Sequence, residues 1–165
     1  EENQIVIMKR ILFVCLGNIC RSPLAEGILQ AKINANNLDW EVDSAGTSGM
    51  HAGELPDVRS IEIAKARGVD IMNQRSRQFK KSDFFEFDFV YVMDKLNLNN
   101  VRSIADTDEQ RMKVDMIMEM VYPGELKDVP DPYWDDDGFA GVYDMLDEAC
   151  EMIIHKHLNK ENIEI

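Results

Sequence analysis

Residues 11–23 read Ile11-Leu12-Phe13-Val14-Cys15-Leu16-Gly17-Asn18-Ile19-Cys20-Arg21-Ser22-Pro23, and this stretch decides the fold. The opening run Ile11 to Cys15 is continuously apolar and follows Lys9-Arg10, the pattern of a strand buried on both faces. Leu16 to Cys20 is short, and Gly17-Asn18 suits a tight loop. Ser22-Pro23 then offers an N-cap and a proline at the first helical position, with Glu26 in the first turn and a helix to about Asn34. The unit is strand, tight loop, helix.

Working outward, the pattern repeats. Trp40 to Ser44 alternates like a strand, and Gly46-Thr47-Ser48-Gly49 is a loop. Pro56-Asp57 opens a second helix that Gly68 can end in a left-handed cap. Ser82-Asp83 caps a short helical turn. Phe87 to Met93 is the strongest strand signal, rich in β-branched and aromatic residues, and Asp94 starts a helix to Ile104. Val114–Met120 reads as a fourth strand, with helix left open by its methionines. Tyr122 to Gly138 is a loop holding three of the five prolines. In the last helix Phe139, Val142, Leu146, Ala149 and Ile153 form one apolar stripe. Alternating strands and helices imply an α/β fold of three layers. A central four-stranded parallel sheet carries helices on both faces, with a phosphate-binding loop after the first strand. A single domain over residues 8–160 is expected. Residues 1–7 read as an N-terminal extension, native or added, and Met8 is a second candidate start.

The 165 residues carry 31 acidic and 18 basic side chains, a net charge of −13. A protein that covers nucleic acid needs a cationic face to displace counterions from phosphates, so that partner is disfavoured, as is an anionic membrane surface. No run of about 18 apolar residues occurs, so no membrane span is expected. Glu1-Glu2-Asn3-Gln4 lacks the cationic opening of a secretory signal. Three cysteines do not form a disulfide framework and fit reduced thiols in a cytoplasmic setting.

Ligands of open α/β sheets bind at the carboxyl ends of strands, where helix N-termini gather. Cys15 to Ser22 sits at such a place. Its backbone N–H groups can converge into an anion nest, and Arg21 adds a charged fork that matches two phosphate oxygens. The same field favours the thiolate form of Cys15. A thiolate facing an anion hole is a phosphoryl-transfer nucleophile. A bare C-x5-R spacing arises by chance in about 15% of chains with this cysteine and arginine content, so the surrounding Gly17-Asn18, Ser22 and Pro23 carry the reading. A phenolate leaving group also calls for an acid. Asp131 lies in Val129-Pro130-Asp131-Pro132-Tyr133-Trp134, where Tyr133 and Trp134 could wall a phenyl ring. An ordinary turn aspartate before proline explains Asp131 equally well at this point.

Val14 to Pro23 matches, without a gap, the motif V-C-L-G-N-I-C-R-S-P of the low-molecular-weight protein tyrosine phosphatases. The chain resembles that family over about residues 9–158, through Asp43-Ser44-Ala45-Gly46-Thr47, Leu55 to Ser60, Met93-Asp94 and Asp131-Pro132-Tyr133. The resemblance implies Cys15 as nucleophile and Arg21 as binder of the phosphoryl oxygens. It implies a phosphate-binding loop of Leu16, Gly17, Asn18, Ile19, Cys20 and Ser22, with Ser22 hydrogen-bonded to the thiolate and Asn18 braced by Ser44. It makes Asp131 the general acid and then the base. It also implies a reversible disulfide between Cys15 and Cys20, phosphotyrosine-containing proteins as substrates, and no cofactor or metal. The expected state is a monomer or weak dimer.

Two departures stand out. The family often has histidine where Asn73 aligns, bracing Asn18, and Asn73 is expected to substitute. Met50 falls where many members carry Trp or Tyr at the pocket mouth, keeping apolar contact but losing ring stacking. Elsewhere, Cys150 reads as core. Asp135-Asp136-Asp137-Gly138 fails an EF-hand register and reads as an acidic rim. His155 and His157, two apart on a helix, face different directions. Arg75, Arg77, Lys80 and Lys81 read as a solvated face. Arsenate reduction on the same scaffold needs relay thiols that the chain lacks beyond Cys20 and Cys150. The phosphoarginine branch carries Thr where Ile19 stands. A non-catalytic phosphotyrosine-binding module is the alternative of a different class.

Overall fold

The computed structural model describes residues 8–163, so the expected extension at residues 1–7 lies outside the described residues. Four strands, β1 (Arg10–Cys15), β2 (Glu41–Gly46), β3 (Phe89–Val92) and β4 (Val114–Met116), form one parallel sheet in the order β2-β1-β3-β4. Six α-helices connect and cover it among the described residues: α1 (Arg21–Ala35), α2 (Val58–Ala66), α3 (Asp83–Glu86), α4 (Lys95–Ile104), α5 (Asp108–Met112) and α6 (Phe139–Ile163).

The apolar run at the start of the chain explains why β1 is central. Ile11 and Phe13 point into a core with Leu24, Ile28, Leu146 and Ile153 of α1 and α6. Leu12 and Val14 point the other way, toward Phe84, Val101 and Met116. A strand apolar on both faces is stable only between two helical layers. From β1 the chain steps outward to β2 on one side and β3 on the other, so the carboxyl end of β1 is the switch point of the sheet. The loop after Cys15 opens there.

The expected stripe of α6 is buried at Phe139, Val142, Leu146, Ala149 and Ile153. Asp57 and Asp94 cap α2 and α4 through their side chains, and Gly68 takes the left-handed conformation after α2 (φ 79°). Several boundaries differ from the sequence reading. Helix α1 begins at Arg21 with Cys20 in the cap position and no side-chain cap, because the Ser22 hydroxyl is held by Cys15 and Asn18 instead. The fourth strand is confined to Val114–Met116, and Ile117–Met120 winds into a 3-10 turn. At α3 the Ser82 side chain makes no cap; the buried Asp83 accepts from the Lys80 N–H and pairs with Arg77. Arg77 therefore leaves the basic run and turns inward, bridging Asp43 and Asp83, while Arg75, Lys80 and Lys81 stay exposed. His157 is buried against the Tyr91 hydroxyl at 2.9 Å, whereas His155 is exposed and faces Glu151. Among the described residues no helix is long and apolar enough to cross a membrane.

Candidate active site

The loop is shaped by its carbonyls. Cys15 O accepts from Thr47 N and Leu16 O from Ser48 N, both at 2.9 Å. Gly17 O accepts from Ser76 Oγ at 3.0 Å, Ile19 O from Asp57 N at 2.8 Å, and Cys20 O from Ser60 Oγ at 3.3 Å. In a trans peptide the C=O and the following N–H point in opposite directions. Five carbonyls drawn toward the surrounding protein thus turn the N–H groups of Leu16, Gly17, Asn18, Cys20 and Arg21 toward the loop's centre. Asn18 makes the reversal with φ 56°, a left-handed conformation that asparagine tolerates. Gly46 lies so close behind the loop that a Cβ there would sit 2.8 Å from Leu16 O, which is why glycine ends β2.

Side chains lock this arrangement. Asn18 Nδ2 donates to Ser22 Oγ at 2.8 Å and to Ser44 Oγ at 2.9 Å, and Asn18 Oδ1 accepts from Arg77 N at 3.0 Å. Ser22 Oγ lies 3.0 Å from Cys15 Sγ. Ser22 Oγ accepts from Asn18 and keeps one hydrogen to donate, with the sulfur nearer than its other acceptor, Ala45 O at 3.5 Å. Arg21 is buried and donates through Nη1 to Asp94 Oδ2 at 2.7 Å and to Val129 O at 2.9 Å. Burial acts to lower its pKa, but Cys15, Asp94 and Asp131 together more than offset this and the net shift is upward. Its Nη2 lies 3.9 Å from Asp131 Oδ2, so residues 110 positions apart in sequence share one charge environment. The other Asp131 oxygen accepts from Tyr133 N at 3.1 Å, which fixes the carboxylate in its Pro-flanked turn.

These groups line a cavity of about 320 Å³. Its floor is Cys15, Leu16, Gly17, Ile19, Cys20 and Arg21; Ser48, Met50 and His51 form one wall, and Asp131, Tyr133 and Trp134 the other. A thiol, an arginine fork and inward amides at the floor, with a carboxylate and aromatic rings above, is the constellation of a phosphoryl-transfer pocket. The sequence profile described as low molecular weight phosphotyrosine protein phosphatase matches residues 10–163. The chain belongs to this family.

The phosphatase is 38% identical over 141 residues to the low molecular weight phosphotyrosine protein phosphatase of Schizosaccharomyces pombe, covering 83% of this chain and 89% of that one. In fold it is similar to the crystal structure of a protein tyrosine phosphatase from Entamoeba histolytica with Hepes in the active site. The TM-score is 0.86 and the identity 35%, over 93% of this chain and 99% of that one. It is also similar to a Drosophila arginine phosphatase, with a TM-score of 0.83 and 33% identity over 89% of this chain and 96% of that one.

Within the phosphatase pocket, Tyr133 and Trp134 meet edge to face at 4.8 Å, and Trp134 is 86% exposed. Arg59 lies over the Tyr133 ring and pairs with Asp57 and Asp136, so part of the acidic rim is tied down. Met50 is 82% exposed at the mouth. Burial pushes the Cys20 thiol up to about 12, aided by Asp57, Cys15 and Asp131, so Cys20 is protonated at neutral pH. Cys150 is fully buried in the core, and burial likewise raises it.

Asn73 does not brace Asn18. It is exposed and lines a second cavity with Glu26 and Gln74, because the chain after α2 reaches the loop only at Ser76 and Arg77. The Arg77 N–H makes the contact expected of Asn73. His51 was missed: it walls the pocket with Nδ1 2.6 Å from Glu54 Oε2, and nothing in the spacing of a surface loop signals this. Asp94 was legible as a helix cap, but its pairing with Arg21 was not.

Glu26 also belongs to the site's surroundings. Burial pushes its carboxyl up to about 7, against the pull of the Ser44 hydroxyl and with Asp43 raising it further. An acid whose pKa rises on folding contributes stability below its unfolded value, and that stability is lost as pH rises through the folded value. Glu26→Gln should therefore leave the melting temperature unchanged near pH 4 and raise it at pH 8, by the equivalent of about 2 kcal/mol. Calorimetry of both proteins across pH 4–8 checks this.

Proposed function

We propose that this phosphatase hydrolyses phosphotyrosine in proteins, and small aryl phosphates, through a phosphocysteine. The observation that carries the reading is the meeting of Cys15, Arg21 and Asp131 around a loop whose amides face inward. Cys15 Sγ attacks phosphorus in line as the P–O bond to the phenol breaks, and Asp131 gives its proton to the departing oxygen. Arg21 and the loop amides neutralise the equatorial oxygens. Asp131, now a base, takes a proton from water, which displaces Cys15 from phosphorus and releases phosphate. Ser22 donates to the sulfur and helps it leave. Ile19 gives the floor apolar bulk, and Tyr133, Trp134 and Met50 hold the ring. We read residues 8–160 as the whole catalytic domain, a cytoplasmic monomer or weak dimer. The paired thiols of Cys15 and Cys20 would yield two protons and two electrons to a peroxide, forming a protective disulfide.

The test is hydrolysis of p-nitrophenyl phosphate, phenyl phosphate and a phosphotyrosine peptide by the wild type and by Asp131→Asn. Loss of a positioned acid costs about a hundredfold in kcat. The loss should be larger for phenyl phosphate than for p-nitrophenyl phosphate, whose phenolate departs without a proton. Equal losses on both would remove Asp131 from the acid role. Faster turnover of phosphoarginine than of the phosphotyrosine peptide would transfer the reading to the arginine branch. Phosphotyrosine binding without turnover would make the protein a recognition module.

A further inference from the structure

The hydrogen-bond chain beneath the nucleophile continues past Ser44. Ser44 Oγ accepts from Asn18 Nδ2 and donates to Glu26 Oε1 at 2.7 Å. Asn18 contacts Ser22 and Ser44 through Nδ2, and its Oδ1 is occupied by Arg77 N. Each hydroxyl then has one hydrogen to give: Ser22 Oγ has Cys15 Sγ at 3.0 Å, with Ala45 O farther off at 3.5 Å, and Ser44 Oγ gives its hydrogen to Glu26. Without Glu26 the buried Ser44 hydrogen would lack an acceptor. The hydroxyl would turn to find one, at the expense of its bond to Asn18. Asn18 is the left-handed residue of the loop, so its anchorage sets the positions of the neighbouring amides.

We propose that Glu26 is a positioning residue of the phosphatase, accepting the Ser44 hydroxyl and so holding Asn18 and the Cys15 loop in their phosphate-binding shape. The inference rests on the phosphatase reading above. Glu26 lies on α1 and faces Asp43 of β2, which pairs with Arg77 at 3.0 Å; Arg77 in turn pairs with Asp83 of α3. On its other side Glu26 lines a cavity of about 260 Å³ with Asp70, Gln30 and Gln74. That cavity lets its proton exchange with solvent while the loop stays closed. When Glu26 holds a proton it can donate to Asp43 while its second oxygen still accepts from Ser44, so the chain keeps one direction in both states. Ionisation, with the pKa pushed up to about 7, places a second negative charge beside Asp43 under an anion-binding loop.

Glu26→Met removes the acceptor at similar length, whereas Glu26→Gln keeps a carbonyl for Ser44 and an N–H for Asp43. With p-nitrophenyl phosphate, Glu26→Met should lose about tenfold in kcat/KM, and Glu26→Gln should recover most of that loss. If Glu26 acts through Ser44, Glu26→Met combined with Ser44→Ala loses no more than Ser44→Ala alone. The wild type should also show a fall in kcat/KM above about pH 7 that Glu26→Gln lacks. Additive losses, or Glu26→Met at the wild-type level, overturn the proposal. The same cycle is read on the dissociation constant for inorganic phosphate by calorimetry. A wild type that turns over nothing defeats the phosphatase reading, and the phosphate affinities then decide the role of Glu26 in the same way. If Glu26→Met does not fold, the pH profile of Glu26→Gln decides: a profile identical to wild type overturns the proposal.

Discussion

Cys15→Ser abolishes hydrolysis of p-nitrophenyl phosphate, with an expected loss of at least about 10⁴-fold in kcat. The substitution exchanges one atom, and the new hydroxyl can still bond Ser22 Oγ, which lies 3.0 Å from the sulfur it replaces. The loop's carbonyl anchors involve no part of the Cys15 side chain, so the amides remain turned inward. What changes is the nucleophile. A thiol is a far stronger acid and its sulfur a far better nucleophile than an aliphatic hydroxyl. The variant should therefore still bind inorganic phosphate while failing to accumulate a phosphoenzyme, measured by calorimetry and by mass spectrometry of acid-quenched protein. Turnover that persists in Cys15→Ser would remove the phosphocysteine from the mechanism. Loss of phosphate binding along with turnover would mean that the sulfur itself holds the loop together.

Arg21→Lys lowers kcat by about 10³-fold, close to the effect of removing a preorganised donor from an anion hole. Arg21 performs two tasks with one planar group. Nη1 is committed to Asp94 and Val129 O, which ties the start of α1 to the cap of α4 and to the loop that carries Asp131. The rest of the fork stays near Asp131 and the pocket floor. A lysine ammonium is a single point and cannot satisfy the carboxylate and the carbonyl while also reaching a phosphoryl oxygen. The Asp94 side chain is only 20% exposed, so weakening its partner also costs about 2 kcal/mol of stability. Urea denaturation measures that loss, and kinetics with p-nitrophenyl phosphate measure the first. A stable Arg21→Lys protein with wild-type turnover would show that the loop amides alone carry the phosphoryl charge.

Much of this site could be read along the chain because its members lie within eight residues. Cys15, Arg21 and Ser22 belong to one strand–loop–helix unit whose local chemistry points to an anion. Asp131 could not be placed that way, since the Pro-flanked turn that holds it is equally an ordinary loop until Val129 O and Asp131 are seen against Arg21. The Asn73 expectation failed for a related reason. Alignment puts a residue near a position in sequence, but the chain after α2 takes several residues to cross from the second cavity to the loop, and Arg77 N arrives where a side chain was expected. The basic run misled similarly: Arg77 is held inward by Asp43 and by the buried Asp83, neither of which is its neighbour in sequence.

The sequence by itself determined the alternation of strands and helices and the central place of β1, and it singled out Cys15 as the candidate nucleophile. Hydrophobic period and loop chemistry are local properties, written over stretches of ten to twenty residues. Only the tertiary structure decided how the Asp131 turn, His51 and Glu26 stand around that nucleophile. Hydrogen-bond partners are chosen by which surfaces the sheet brings together, and a parallel sheet joins residues far apart in the chain. The tight loop at residues 16–20 lies where these two kinds of information meet. Its motif specifies an anion-binding turn, and its carbonyl partners, drawn from the segments around residues 47, 57, 60 and 76, fix which way the amides face.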